Sequence, residues 1–132
     1  MESGLRLLLD THALIWWLAG DEALSQAARA AIGDEANSVA VSAASAMEVS
    51  TKHRIGKLPD AALLAQDFEA IVATQGFAEL AITAHHARLA GEMNIAHKDP
   101  FDRLLIAQAQ AEGMVLVSNE ALFDGFAVQR LW

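Results

Sequence analysis

Leu7-Leu8-Leu9 is the most constraining stretch of this chain, because it is apolar at every position and runs straight into a carboxylate, Asp10. A half-buried strand would alternate apolar and polar residues. An uninterrupted run too short for a helix fits a strand buried on both faces. Such strands form the middle of parallel sheets, whose ligands gather beyond the carboxyl ends of the strands. Asp10 therefore falls at that edge. Aspartate is also a favoured helix N-cap, and an apolar helical segment follows, so a structural reading stands beside the functional one.

Segments of both kinds alternate along the rest of the chain. After Asp10, residues 13–19 read as a helix ended by Gly20-Asp21, and 26–32 as a second helix capped by Ser25. Val39-Ala40-Val41 is a second buried strand closing at Ser42. The spacing predicts a helix over 44–55 with Gly56 behind it, and one continuous helix over 61–74. Residues 77–82 read as a weaker third strand with Glu79 inside it, and Thr83 caps a helix over 84–93. His85 and His86 point in different directions on that helix and lack a His-Glu-x-x-His frame, so they read as ordinary surface or core histidines. Asp99-Pro100-Phe101-Asp102 opens the strongest helix, which reaches Glu112-Gly113. Residues 114–117 form a fourth strand ending in Ser118-Asn119-Glu120, then a short helical turn, then an edge-like strand over 128–132. The fold class expected is α/β, a single α/β/α sandwich around a mainly parallel central sheet.

Composition bounds the function. A chain of 132 residues, 54 % of them hydrophobic, has material for one cored domain, taken as residues 1–132. The absence of cysteine excludes disulfides, thiolate nucleophiles and cysteine zinc sites, and suits a reducing compartment. The longest apolar run, residues 13–19, covers a third of the about 20 residues that a membrane span needs. Glu2 and Asp10 break any signal-peptide pattern, so the expectation is a soluble cytoplasmic protein with no membrane partner. Seventeen acidic against nine basic residues give a net charge of −8, the wrong sign for gripping nucleic acid by bulk charge. Two readings reconcile that charge with a polyanion: acids gathered around a divalent cation, which inverts the local field, or basic residues clustered in one patch.

Carboxylates do recur at comparable places. Asp10 follows the first strand, and Glu120 lies just past the fourth. Asp99 and Asp102 open the helix that precedes the fourth strand, and Glu48 lies early in the helix after the second. If the strands are parallel, all of these reach the same edge of the sheet. Each also has a plainer role. Asp99 suits an N-cap, with Pro100 at the first helical position and Asp102 near the place of a capping-box partner. Glu48 and Lys52 are spaced i, i+4 and can pair, while Lys52, His53 and Arg54 suit the negative end of their helix. Unpaired carboxylates brought together repel and take up protons. A hard cation relieves that, and oxygen donors favour Mg²⁺ or Mn²⁺ over zinc.

Taken in order, several segments resemble the PIN-domain ribonucleases of the VapC type, the toxins of bacterial type II toxin–antitoxin pairs. They are Leu-Leu-Leu-Asp-Thr-His-Ala-Leu-Ile-Trp-Trp from residue 7, Val-Ser-Ala-Ala-Ser-Ala-Met-Glu-Val around Glu48, and Gly-Lys-Leu at 56–58. His-Lys-Asp-Pro-Phe-Asp-Arg-Leu-Leu-Ile-Ala at 97–107, Val117-Ser118 and the terminal Leu-Trp complete the set, which covers nearly the whole chain. The resemblance implies an acidic metal site of Asp10, Glu48 and an aspartate of the 99/102 pair, with Asp102 the nearer ligand and Asp99 capping and adding charge. A fourth acidic residue commonly follows the Ser/Thr of strand four by two positions. Here that position holds Glu120 in place of the usual aspartate. Ser118, Thr11 and Asn119 are hydrogen-bonding candidates behind these acids.

The chemistry implied is Mg²⁺- or Mn²⁺-assisted hydrolysis of RNA phosphodiesters. Asp10 anchors the metal, Asp102 and Glu48 complete or orient its surroundings, and Glu120 positions water or a second ion. Lys52, Arg54, Lys57 and Arg103 are candidate contacts to the RNA backbone. The family also implies a homodimer and a VapB-like antitoxin whose carboxyl-terminal segment wraps the toxin and blocks its site. The helix with Trp16 and Trp17 is a candidate for that contact, although core packing explains at least one of the two. Two other classes stand beside this reading. A phosphatase of the haloacid-dehalogenase kind needs Asp-x-Asp-x-Thr after the first strand, and here position 12 is His12. A non-catalytic module that binds the antitoxin through a decayed metal site needs only the fold.

Overall fold

The computed structural model describes residues 4–96 and 99–132, the side chain of Asp60 excepted. His97 and Lys98, which begin the fourth quoted motif, lie outside the described residues. The strands are β1 (Arg6–Leu9), β2 (Ser38–Ser42), β3 (Ala78–Leu80), β4 (Val115–Val117) and β5 (Arg130–Leu131). The helices are α1 (Thr11–Ala19), α2 (Gln26–Gly33), α3 (Ala43–Arg54), α4 (Ala62–Gln66), α5 (Phe68–Thr74), α6 (Ala84–Glu92) and α7 (Pro100–Glu112). Short 3-10 turns at Pro59–Ala61 and Ala121–Gly125 precede α4 and β5.

The strands lie in the order β3-β2-β1-β4-β5, and every pairing is parallel. Leu7, Leu8 and Leu9 pair with Val39, Ala40 and Val41 on one side and with Val115, Leu116 and Val117 on the other. The first half of the chain steps outward from β1 through β2 to β3 and then returns to the opposite side of β1 with β4 and β5. The topological switch point therefore lies between β1 and β4, the crevice where open α/β sheets bind ligands.

All three leucines are fully buried because the sheet is covered on both faces. Leu7 and Leu9 pack with Val39, Val41, Leu14, Val49, Phe68 and Val72 on one face. Leu8 turns to the other, against Ala40, Leu116 and the α7 residues Leu105, Ile106 and Ala109. This is the period-2 alternation of a strand with an apolar layer on each side. The α/β/α sandwich is as the chain order indicates, with a sheet that is wholly parallel.

Three elements differ from their sequence reading. The helix expected over 61–74 is broken at Asp67, whose backbone (φ −131°, ψ 43°) leaves the helical region and separates α4 from α5. Aspartate is a weak interior helix former, and the break falls on it. The strands expected over 77–82 and 128–132 shrink to the cores of β3 and β5, since both are edge strands with a partner on one side only.

The two tryptophans of α1 diverge as adjacent residues on a helix must. Trp17 packs on Phe77 and donates its Nε1–H to Gln75 at 3.0 Å. Trp16 lies between His12 and Trp132, with ring centroids 5.5 and 5.8 Å away. His85 is exposed, while His86 is buried and structural. His86 completes a capping box with Thr83 and its Nε2 lies 2.9 Å from Glu112, joining α6 to α7. Ser42 donates to the buried Gln108 at 2.5 Å, tying the end of β2 to α7.

Gly113 closes α7 at φ +64°, and a Cβ built there meets nothing within 4 Å. Gly113→Ala therefore isolates the backbone cost of a left-handed L-residue, and its urea midpoint is expected to fall by an amount equivalent to about 1 kcal/mol.

Candidate active site

Asp10 is where β1 turns into α1. Its backbone N–H continues the ladder to Val117 O at 3.0 Å, while its Oδ1 accepts the Ala13 N–H at 2.8 Å as the N-cap of α1. The capping role is thus real, and it aims the carboxylate into the crevice between β1 and β4. Ser118, the fully buried residue after β4, donates its hydroxyl to Asp10 and accepts the Glu120 N–H on the same oxygen at 3.0 Å. Asp10 is 8 % exposed. Burial raises its carboxyl above the ordinary value of 3.8, and the nearby charge of Asp102 adds to the rise. The hydrogen bonds from Ser118 and the Ala13 N–H, and the charge of His12, act in the opposite sense.

Asp102 lies in the first turn of α7, half-buried, and is close enough to oppose ionisation of Asp10. Asp99 caps the same helix, its Oδ1 accepting the N–H groups of Phe101 and Asp102 at 2.9 and 3.2 Å. Pro100 takes the first helical position, where its missing N–H costs nothing.

Glu48 is 7 % exposed on α3. Its Oε1 accepts the Thr11 hydroxyl at 2.6 Å, and its Oε2 meets Lys52 Nζ at 2.5 Å. Thr11 also lies 3.0 Å from the buried Ser45 hydroxyl, one helical turn before Glu48. Thr11, the residue after Asp10, thus ties Glu48 to the start of α1. Ser45 had no role in the sequence reading, although its i, i+3 spacing from Glu48 places the two on one face of a helix.

The expected carboxylates do not all stand together among the described residues. Glu48 is paired with Lys52, and among the described residues no three Asp, Glu or His side chains stand close enough together to hold a metal ion. Glu120 and Asn119 are exposed beyond β4. The basic candidates also separate. Arg54 and Lys57 are exposed, whereas the Lys52 ammonium is engaged by Glu48. Arg103 turns its guanidinium back onto the end of α6, donating to the carbonyls of Ala90 and Met93 at 2.8 Å and of Gly91 and Ile95 at 3.4 Å.

A groove of about 560 Å³ opens beside His12, lined by Ile15, Trp16 and Leu18 of α1, by Leu58, and by Leu63 and Leu64 of α4, with Lys57 and Asp21 among its few charged residues. Leu63 is 75 % exposed. Patterning did not reveal this groove, because its walls come from segments far apart in the chain.

Fold and crevice together define a parallel α/β domain with acidic side chains at its topological switch point. The chain belongs to the PIN domain family, whose model matches residues 7–128. No curated protein matches it by sequence. Among solved structures, it is similar in fold to VapBC2 from Rickettsia felis bound to a promoter DNA fragment, with a TM-score of 0.69 and 15 % identity over 96 % of this chain and 97 % of that one. A toxin–antitoxin complex from Klebsiella pneumoniae aligns with a TM-score of 0.63 and 21 % identity over 92 % of each chain. DNA-bound VapBC from Salmonella typhimurium gives 0.65 and 15 % over 96 % of each.

Proposed function

We propose that this chain is a metal-dependent endoribonuclease, the toxin of a VapBC-type toxin–antitoxin pair. The observation that carries the reading is the buried Asp10, set at the switch point of the sheet within electrostatic reach of Asp102. Burying one carboxylate beside another is costly unless a cation balances the pair. The donors are all oxygen, which fits Mg²⁺ or Mn²⁺. Asp10 and Asp102 would hold the ion.

A bound divalent ion supplies Lewis-acid polarisation of a phosphoryl oxygen and a water of lowered pKa. The protein's own part is positional. The Ser118 hydroxyl and the Ala13 N–H fix the rotamer of Asp10, so its carboxylate is oriented before substrate arrives. Thr11 ties Glu48 to the start of α1, and the Asp99 cap sets the first turn of α7 that bears Asp102. Exposed Arg54 and Lys57 are available to contact the RNA backbone. In this reading Glu120 and Asn119 contact water or substrate at the rim.

The partner is a VapB-like antitoxin. The apolar groove beside His12, with Trp16 and Leu64 in its lining, is the candidate seat for an apolar segment of that antitoxin. The structural neighbours, several of them toxin–antitoxin complexes, support this partner class. A homodimer belongs to the same reading, and sedimentation velocity reads it directly. Among the described residues no helix is long and apolar enough to cross a membrane.

The pairing of Glu48 with Lys52 favours a second reading, an antitoxin-binding module without catalysis. One experiment separates the two: cleavage of single-stranded RNA by the purified chain with Mg²⁺, with Mn²⁺ and with chelator. Cleavage that appears with metal and stops with chelator is the expected result. No cleavage under any condition, with antitoxin binding intact, selects the module.

A further inference from the structure

We infer that the exposed ring of His12 is a stacking platform for one unpaired nucleobase of the RNA, at a nucleotide next to the cleaved bond. The inference rests on the ribonuclease reading above. His12 is the second residue of α1, exposed, and within electrostatic reach of the Asp10 carboxylate. Its i, i+4 neighbour Trp16 braces it, with ring centroids 5.5 Å apart at a tilt of 42°. Trp16 in turn meets Trp132 at 5.8 Å, and both half-buried tryptophans pack on the core that holds Leu7 and Leu9. The three rings form a supported column whose exposed member stands beside the acidic crevice.

The charge of the chain favours a base over a phosphate as the group that binds here. The net charge is −8, and Arg29, Lys52, Arg88, Arg103 and Arg130 are each engaged by a carboxylate or carbonyl of the chain itself. Few cations are left to grip the backbone, so affinity for a polyanion needs a contact that charge does not govern. Stacking on an aromatic face is such a contact, and a base offers its face only when unpaired. The groove beside the ring suits the base, with Ile15, Trp16 and Leu18 in its lining and Lys57 there for an adjoining phosphate. Because Trp16 and Trp132 hold the column in place before RNA arrives, little side-chain freedom is lost on binding. A platform of this kind reads no hydrogen-bond pattern, so it selects single-stranded RNA without selecting a sequence.

Binding of a short single-stranded RNA, measured by fluorescence anisotropy with chelator present to keep the strand intact, tests this on the full chain. In the unaltered protein, abasic nucleotides placed in turn along the strand are expected to raise Kd about tenfold at one position, the scale of one lost stack. His12→Ala is expected to raise Kd by the same factor with an unchanged salt slope, and to abolish the abasic effect at that position. His12→Phe, which keeps a ring and carries no charge, is expected to bind like the unaltered protein. The NMR signals of the His12 ring are expected to move upfield as RNA is added, a measurement that needs no variant. No abasic-sensitive position, an abasic effect of equal size in His12→Ala, a loss that His12→Phe shares, or ring signals that RNA leaves in place overturns the inference. Unchanged RNA affinity in His12→Ala also overturns it and leaves this face to the antitoxin. Metal-dependent cleavage of the same RNA without the His12 effect removes this inference alone and leaves the ribonuclease reading standing. A chain that neither binds nor cleaves the RNA removes both.

Discussion

Asp10→Asn is expected to lower metal-dependent RNA cleavage by about 100- to 1,000-fold, on the scale of removing one group that stabilises transition-state charge. It should at the same time make the protein harder to unfold. Asparagine keeps an oxygen for the Ala13 N–H and is as good an N-cap as aspartate, so α1 loses nothing. What disappears is a buried charge. Burial raises the Asp10 carboxyl above 3.8, so the folded state prefers its protonated form. The stability contributed by that preference is complete below 3.8 and is lost as pH rises through the raised value. At neutral pH the ionised group is therefore a cost that asparagine avoids, a gain of about 1 kcal/mol of the kind seen where function is traded for stability. Thermal melts at pH 7 and pH 4 check the sign, because the advantage of Asp10→Asn should shrink at the lower pH. A variant that loses activity and stability together would instead mark Asp10 as purely structural.

Arg103→Ala should show the opposite pattern. The guanidinium of Arg103 is half-buried and serves the carbonyls of Ala90, Gly91, Met93 and Ile95, the last turn of α6 and the segment after it. Removing it leaves those acceptors without their charged donor, at a cost of about 3 kcal/mol. For a domain of this size that corresponds to a melting point lower by roughly 10 °C. Arg103→Lys recovers little, since one ammonium cannot span the fork that two nitrogens and Nε occupy. RNA affinity measured well below the melting point should be nearly unchanged, with the same salt dependence. Were Arg103 a phosphate contact, as its place beside Asp102 in sequence indicated, the variant would keep its melting point and lose about one unit of salt slope.

The difference between these two residues shows what a linear reading reaches. Asp10 was legible because a strand buried on both faces has one informative end, and the acid sits on it. The layered architecture was legible for the same reason: Leu7–Leu9, Val39–Val41 and Leu116–Val117 are too short and too apolar to be anything but interior strands. Ser118 was legible as a neighbour of that edge, though its hydroxyl's twofold use by Asp10 and Glu120 was not. The spacing of Glu48 and Lys52 announced a pair, but nothing in spacing tells a wet face from a buried one, and burial decides whether the pair matters. Arg103 was misplaced because a long side chain can turn back on the preceding helix, a direction that residue order does not encode. The groove beside Trp16 was invisible because it is assembled by tertiary packing alone.

The brevity of the outer strands bears on how this molecule associates. β5 has two residues and β3 three, the latter with Glu79 exposed at its centre. Such margins offer almost no ladder for a second chain to extend, and a charge on the margin repels one that tries. Self-assembly by strand addition, the commonest route from a sheet to a fibre, is therefore blocked at both ends. Any durable complex has to form through the helical layers, where specificity is written in side chains and a partner can be recognised without risk of runaway polymerisation.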